Sequence, residues 1–305
     1  VLGYALKRLG LALLVALAVS AASFVLLRMS GDVALAIAGE GARAEDVDLV
    51  RKTYGLDRPL IVQYGEWLGK TLTGDFGQSL YFKTSVAGLI ADKIGITLIL
   101  ALFSLSLALA MAIPLGVLAA LFPNTWIDRF SLALAVAGQA LPNFFFALVL
   151  IMIFSIKLRW LPVSGSDTLA HFVLPTLSLG LYITPPFMRL IRAGMIDVLA
   201  ADYIRTARAK GLSPTSVVMK HALRNALVPV VALAAVQLGF LLGGSIVIET
   251  IFALDGLGYL AYQSITHKDF PVTQAVLLIL SVAYVLLTLC ADLVNAWIDP
   301  RLRVA

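Results

Sequence analysis

The chain has 305 residues, 60% of them hydrophobic and only 13% charged, with a net charge of +5. Soluble domains carry about 25% charged residues, so this composition excludes an ordinary soluble enzyme or binding domain. One cysteine, Cys290, and three scattered histidines exclude an internal disulfide and a Cys/His zinc centre, and a basic balance of this kind in an apolar chain points to membrane topology before nucleic acid.

The apolar residues stand in blocks. Stretches 9–27 and 96–122 hold no charge. A helix needs about 20 apolar residues to cross the ~30 Å hydrocarbon slab, where every backbone amide must be satisfied internally. The pattern predicts an all-α polytopic membrane protein with about six spans, near 9–29, 95–122, 130–156, 171–193, 226–249 and 271–297. Lys7 and Arg8 before an apolar run resemble a secretion signal, but the run reaches Leu27, longer than an h-region of about 7–15 residues, and reads as a first span.

Segment 30–94 is polar and glycine-punctuated, with amphipathic patterns starting at Ala44 and Leu60. It is expected to form an extramembrane subdomain, dividing the chain into 1–94 (first span plus subdomain) and 95–305 (core). Basic residues fall mostly on the side shared with the N-terminus, in loops or near span ends: Lys7, Arg8, Arg129, Arg189, Arg192, Arg205, Arg208, Lys210, Lys220, Arg224, Arg301 and Arg303. The positive-inside rule then puts both termini in the cytoplasm and 30–94 outside.

Pro114, Pro142, Pro175, Pro185 and Pro186 are expected to kink their spans. Gln139 and Asn143 flank Pro142, and Gln237 precedes a Gly239-x-x-x-Gly243 pattern. Tight helix packing explains the glycines. The three polar residues, costly in lipid, are candidates to line a translocation path.

The loop after the fourth span is the most informative. Residues 200–211 read as a helix with Leu199, Tyr203 and Ala207 on one face, closed by Gly211. Ser213 and Pro214 then form an N-cap and N1 pair that opens a second helix. A helix with an apolar stripe and a basic flank can lie on anionic lipid or dock into a protein groove. The fixed turn favours docking, since a lipid-bound helix needs none. Glu249 and Asp255 sit beside Gly256 and Gly258, in a stretch expected to fold back as a short helix at the outer face. A structural cap is the plainer reading and contact with delivered cargo the sharper one. Asp292 reads as a packing partner for an arginine or a helix end in preference to a proton relay.

DYIRTARAKGLS followed by HALRNALVPV resembles the cytoplasmic coupling motif of ABC importer permeases, in the dipeptide/oligopeptide branch with a type I importer fold. Arg205, Thr206 and Ala207 stand at the Glu-Ala-Ala positions of the general motif and Gly211 at its glycine. Further blocks of the branch stand in order: Ser30-Gly31-Asp32, Tyr54 to Pro59, Gln63-Tyr64, Gly74 to Ser79, Leu161 to Gly165, Val247 to Phe252, Gly256-Leu257-Gly258 and Asp299-Pro300-Arg301. Two departures are Asp255, where Pro is usual, and Ala140 to Phe144, where Ile-Pro-Ser-Phe-Trp is commoner.

The resemblance implies a non-enzymatic half-channel in the bacterial inner membrane. Its implied partners are a second, homologous permease chain, two cytosolic ATPase subunits that bind ATP and magnesium, and a periplasmic or lipid-anchored binding protein. It assigns Asp202, Tyr203, Arg205, Thr206, Ala207, Arg208, Lys210, Gly211, His221, Arg224 and Asn225 to ATPase coupling. The chain itself has no phosphate-binding Gly-x-x-x-x-Gly-Lys-Ser/Thr loop and is expected to hold no cofactor. Peptide is the expected cargo, with nickel, glutathione or oligosaccharide as alternatives. A secondary transporter would show midplane acids or inverted repeats. An intramembrane hydrolase would need catalytic groups at matched depth. The sequence displays neither pattern.

Overall fold

The computed structural model describes residues 2–39 and 41–298; Glu40, Asp299, Pro300, Arg301 and Arg303 lie outside the described residues. Among the described residues every regular element is helical.

The first helix, α1 (Leu2–Ser30), is followed by the shorter helices α2 (Val33–Ala38), α3 (Ala44–Thr53) and α4 (Leu60–Leu72). The amphipathic patterns starting at Ala44 and Leu60 are therefore helices. The short α2 is an addition, started by Asp32, whose carboxylate accepts the Ala34 amide at 2.9 Å and the Arg51 guanidinium of α3 at 2.7 Å. Aromatic packing docks α4 on α1: Phe24, 1% exposed, meets Tyr64 and Trp67 with ring centroids at 5.5 and 5.8 Å.

The long helix α5 (Val86–Leu121) begins well before the expected start at 95, capped by Ser85, so the chain enters the bundle from within the segment read as extramembrane. It forms the most extensive helix pair of the molecule with α8 (Ala170–Leu199). Ser104, Ala108, Ala112 and Gly116 recur every fourth residue on α5 and are all buried. This stripe lets the α8 backbone approach; a methyl group at Gly116 would stand 3.0 Å from the Met188 carbonyl. Phe187, Met188, Ile191 and Met195 fill the α8 side of that contact.

Three straight helices among the described residues are long and apolar enough to cross a membrane, within α1, α5 and α15 (Phe270–Ile298). Two bent pairs add up to two more. The expected third span is not one rod. It breaks by 92° between α6 (Trp126–Ala140) and α7 (Asn143–Leu150), the latter prolonged as a π-helix over Ile151–Lys157. The cause is Pro142, which forces Leu141 into an extended conformation at φ −112°, ψ 145°. The expected fifth span also stops early: α12 (Val228–Gly244) ends near Ser245, and Glu249 belongs to a separate helix, α13 (Ile246–Ile251). The expected fourth span is α8, a 30-residue helix that contains three prolines and is packed on both α5 and α6. Being largely enclosed by protein, it has less need of the unbroken apolar surface that lipid demands.

The Gly239/Gly243 pattern is half used. A methyl group on Gly239 would strike the Tyr284 ring at 2.8 Å, whereas Gly243 has nothing within 4 Å of that position. Asp292 pairs with Arg8 at 2.7 Å, joining α15 to α1 as a packing partner.

Candidate coupling segment and outer clamp

Between α8 and α12 the chain makes a compact hook. Helix α9 (Asp202–Ala209) starts after Ala201, which is extended at ψ 149°. Gly211 closes it at φ +76°, a left-handed conformation that glycine adopts without cost. Ser213 then accepts the Ser216 amide at 3.3 Å and Pro214 opens α10 (Pro214–Ser216). The second helix is not α-helical throughout. It widens to a π-helix over Val217–Ala222 before α11 (Leu223–Ala226). The i→i+5 bonding brings Val217 and Ala222, five residues apart, onto the same buried side.

The buried face of α9 differs from the expected stripe. Ile204 and Ala207 are 0% and 7% exposed, while Tyr203 is 45% exposed. The phase counted from Leu199 does not survive the break at Ala201. Tyr203 instead uses its hydroxyl, which accepts from Asn225 Nδ2 at 2.7 Å; the same amide donates to the His221 carbonyl at 3.2 Å. The hook is thereby tied across its open side. Gly194 of α8 lies against Ala226, where a methyl group would stand 3.3 Å from the Ala226 carbonyl. Hook and α8 pack as one body.

What the hook leaves outside is mixed. Asp202, Arg205, Thr206, Arg208, Lys210, Gly211 and Arg224 are exposed, together with apolar Tyr203, Leu212 and Met219, and His221 is half-buried. The Asp202–Arg205 pair at 3.4 Å is almost fully solvated, with side chains 93% and 77% exposed, and contributes about 0–1 kcal/mol at most. This is a basic surface with apolar inserts on a rigid base.

A second cluster lies at the far end of α12. The Glu249 carboxylate is fully buried. It accepts from Thr97 Oγ1 at 2.9 Å, Ser245 Oγ at 2.8 Å and the Tyr259 amide at 3.0 Å. Thr97 Oγ1 in turn accepts the Leu257 amide at 2.8 Å. The carboxylate therefore sits on the N-terminus of α14 (Leu257–Thr266), where free amides favour an anion. Gly256 and Gly258 leave room for it: a methyl group at Gly256 would stand 2.6 Å from Thr97 Oγ1, and one at Gly258 would stand 2.9 Å from Glu249 Oε2. Helix α14 folds back on α13 as expected. Asp255, exposed, pairs with Lys93 of α5.

Residues 112–304 match the family model described as the binding-protein-dependent transport system inner membrane component, and residues 1–101 match the N-terminal model of the same membrane components. The chain belongs to this family. It is 42% identical over 303 residues to the glutathione transport system permease protein GsiC of Escherichia coli strain K12, covering 99% of both chains. The same figures hold for GsiC of Shigella dysenteriae serotype 1 strain Sd197. Among solved structures, an inward-facing crystal form of the MetNI methionine ABC transporter superposes with a TM-score of 0.52 at 21% identity, over 71% of this chain and 95% of that one. That likeness shows the fold, all-α and of the type I importer permease kind; the family itself is one of inner-membrane components.

In this permease the candidate lining residues gather around α8 without meeting one another. Gln139 Nε2 donates to the Tyr182 carbonyl at 2.9 Å, and the Asn143 carbonyl accepts from Ser178 Oγ at 2.9 Å. The Tyr182 ring stacks at 6.5 Å on Phe240, and Gln237 lies half-buried one turn before Phe240 on α12. Two polar locks escape sequence reasoning. Arg192 of α8 grips Asp128 of α6, and Asp269 accepts from Ser79 Oγ and from the Leu80 and Tyr81 amides, pinning the segment that leads into α5 to the start of α15. A signal for the first was present: Arg192 falls inside a predicted span, where a charge needs a partner.

Proposed function

We propose that this permease forms half of the translocation pathway of an ATP-driven importer for short peptides, with the hook 202–225 as the surface on which an ATPase subunit docks. The observation that carries the reading is the hook itself. Its inner face is packed on α8, its open side is tied by Tyr203 and Asn225, and its outer face offers basic and apolar groups to a partner. A displacement applied there moves α8 as a rigid body, and α8 is the centre of the bundle.

The excess of lysine and arginine in the loops shared with the hook supports a cytoplasmic hook, cytoplasmic termini and an exterior α2–α4. ATP and magnesium belong to two ATPase subunits. A second, homologous permease chain completes the pathway, and a periplasmic or lipid-anchored binding protein delivers cargo. Gln139, Asn143 and Gln237 line this half of the path. Glu249, Gly256 and Gly258 form a structural clamp at the outer gate, with Asp255 beside it. Glutathione, the cargo named for the GsiC relatives, is itself a tripeptide, and the 42% identity makes it the specific second reading.

Arg205→Cys, placed in a Cys290→Ser background, tests the docking surface. It is expected to cross-link to an ATPase subunit in membranes and to resist an impermeant thiol reagent added from outside. Labelling from outside, or no cross-link to the ATPase, overturns the reading. Uptake of labelled dipeptides against glutathione decides the cargo.

A further inference from the structure

Helix α4 carries more apolar surface than its docking on α1 uses. Tyr64 and Trp67 turn towards Phe24, while Ile61 is 80% and Leu72 79% exposed. Ile61, Leu68 and Leu72 stand at i, i+7 and i+11, one stripe along the helix. Glu66 and Lys70, one turn apart, lie on roughly the opposite side. That side is polar beyond the helix itself. Gln63, Glu66 and Lys70 line a cavity with Arg28, Asp75 and Gln78, and the apolar stripe takes no part in it. Glu66 is also matched by Arg58 at 2.5 Å. Helix α4 therefore has one wet edge and one apolar edge, and the described residues leave Ile61 and Leu72 uncovered on the second.

The depth at which α4 docks decides what lies against that edge. Tyr64 meets α1 well inside the apolar run Leu6–Met29, which is long enough to cross a membrane. Its hydroxyl is 2.7 Å from Ser20 Oγ and 3.5 Å from the Leu17 carbonyl. Ser20 and Leu17 lie roughly 12 and 16 Å along the helix axis from Arg28, the charged residue near the end of the run. Half the hydrocarbon slab is about 15 Å, so the tyrosine tip reaches the depth of acyl chains. Leu17 is itself 51% exposed beside it. Since α1 packs chiefly on α15 and α4, at the rim of the bundle, its exposed leucines face lipid, and the uncovered edge of α4 continues that surface. An in-plane helix buries its apolar face about 5–10 Å below the headgroups, and tyrosine and tryptophan favour that zone.

A close-packed helix of another chain is the rival occupant. Gly65 and Gly69 lie beside the stripe, with nothing within 4 Å of a methyl group at either. The large side chains of Ile61 and Leu72 project at both ends of this glycine pair, however, and hold a second helix off it.

We infer that α4 is seated in the membrane. Its Ile61–Leu68–Leu72 edge lies among the acyl chains of the leaflet on the side where α1 ends, and its Glu66–Lys70 edge faces water. The partner is the lipid leaflet. Segment 30–94, expected to stand clear of the membrane, is thereby anchored in it at α4, and the α2–α3 pair is tethered close to the surface. This placement needs only that α1 crosses the membrane, so it stands or falls apart from the cargo and from the docking of the hook.

Single nitroxide labels at Ile61→Cys, Leu72→Cys, Glu66→Cys and Lys70→Cys, each in the Cys290→Ser background, test it. The assembled complex is held in nanodiscs of phosphatidylethanolamine and phosphatidylglycerol. Collision with oxygen, which concentrates in lipid, is compared with collision with a water-soluble nickel chelate. Labels at 61 and 72 are expected to meet the chelate about tenfold less often than those at 66 and 70, and to meet oxygen more often. Equal access of the chelate to all four positions overturns the inference in favour of water. Immobile labels at 61 and 72, shielded from both reagents, overturn it in favour of a protein partner. Gly65→Leu gives a second readout, because it blocks a close-packed helix but only enlarges an edge set in lipid. Co-purification of the other subunits is expected to stay at the parental level, and its loss overturns lipid as the occupant.

Discussion

Asp128 and Arg192 meet in a two-pronged ion pair, Nε to Oδ1 and a terminal guanidinium nitrogen to Oδ2, both at 2.7 Å. The pair fastens α6 to α8 beside the loop 122–125, and Asp128 Oδ2 also accepts the Asn124 amide at 2.9 Å. The planar fork is what arginine offers and lysine does not. The Asp128 side chain is 4% exposed and that of Arg192 25%. Asp128→Asn is therefore expected to cost about 2–3 kcal/mol, somewhat under the ~3–5 kcal/mol of breaking a wholly buried pair. Arg192→Lys, which keeps the charge and loses the fork, should fall between that variant and the parent. Thermal unfolding of the purified protein in detergent checks the order; an unchanged midpoint in Asp128→Asn would contradict it.

Gly211 separates backbone strain from steric conflict. Its φ of +76° disfavours any side chain, yet a methyl group there meets nothing within 4 Å. Gly211→Val is expected to cost about 1–2 kcal/mol from the left-handed backbone alone. The same strain tilts α10 away from α9 and distorts the exposed surface. Uptake per ATP hydrolysed should drop at least tenfold while basal ATPase activity persists. Gly211→Asn, a residue that tolerates this conformation, should retain most of the coupling. Parallel uptake and phosphate-release assays on proteoliposomes decide it, and equal coupling in both variants would refute the hinge.

These two sites mark what the sequence discloses and what it withholds. The hook was legible because Gly211, Ser213 and Pro214 act locally: each fixes its own backbone or that of its neighbours. The amphipathic helices α3 and α4 and the uncharged stretches 9–27 of α1 and 96–121 of α5 were legible for the same reason. The face that α9 buries was not, because one extended residue, Ala201, resets the helical phase. Pro142 announced a kink, but its 92° size follows from how α6 and α7 pack on α8. Asp128 with Arg192, and Ser79 with Asp269, are partners across 64 and 190 residues, beyond the reach of any local pattern. The end of the fifth span was misplaced because Val247 to Phe252 is apolar apart from Glu249 and Thr250, and hydropathy alone does not register a helix that turns back.

At the clamp, space matters more than charge. Gly256 has an ordinary extended backbone, φ −98° and ψ −175°, so alanine is not strained there. Its methyl group would nevertheless collide with the Glu249 carboxylate and Thr97 Oγ1. Gly256→Ala is expected to cost about 1–3 kcal/mol through overpacking and to loosen α14. Glu249→Gln keeps an oxygen for the Tyr259 amide but turns an NH2 towards the Thr97 and Ser245 hydroxyls, and should cost about 1–2 kcal/mol, the scale of those two altered hydrogen bonds. Melting midpoints that place the glutamine variant below the alanine variant would show that charge governs this site.

The Tyr203–Asn225 bond bridges α9 and α11 across the mouth of the hook at 2.7 Å. Tyr203 is 45% exposed, so water replaces the lost partner easily and Tyr203→Phe should cost under about 1 kcal/mol in stability. On the docking role proposed for the hook, its effect on coupling should be larger, because the bond ties α9 to α11. If the two residues act as a unit, Tyr203→Phe and Asn225→Ala each lower uptake per ATP by a similar factor, and the double variant is no worse than either alone. Additive losses would mean that each residue meets the ATPase separately, and the hook would then be two contact points instead of one rigid arm.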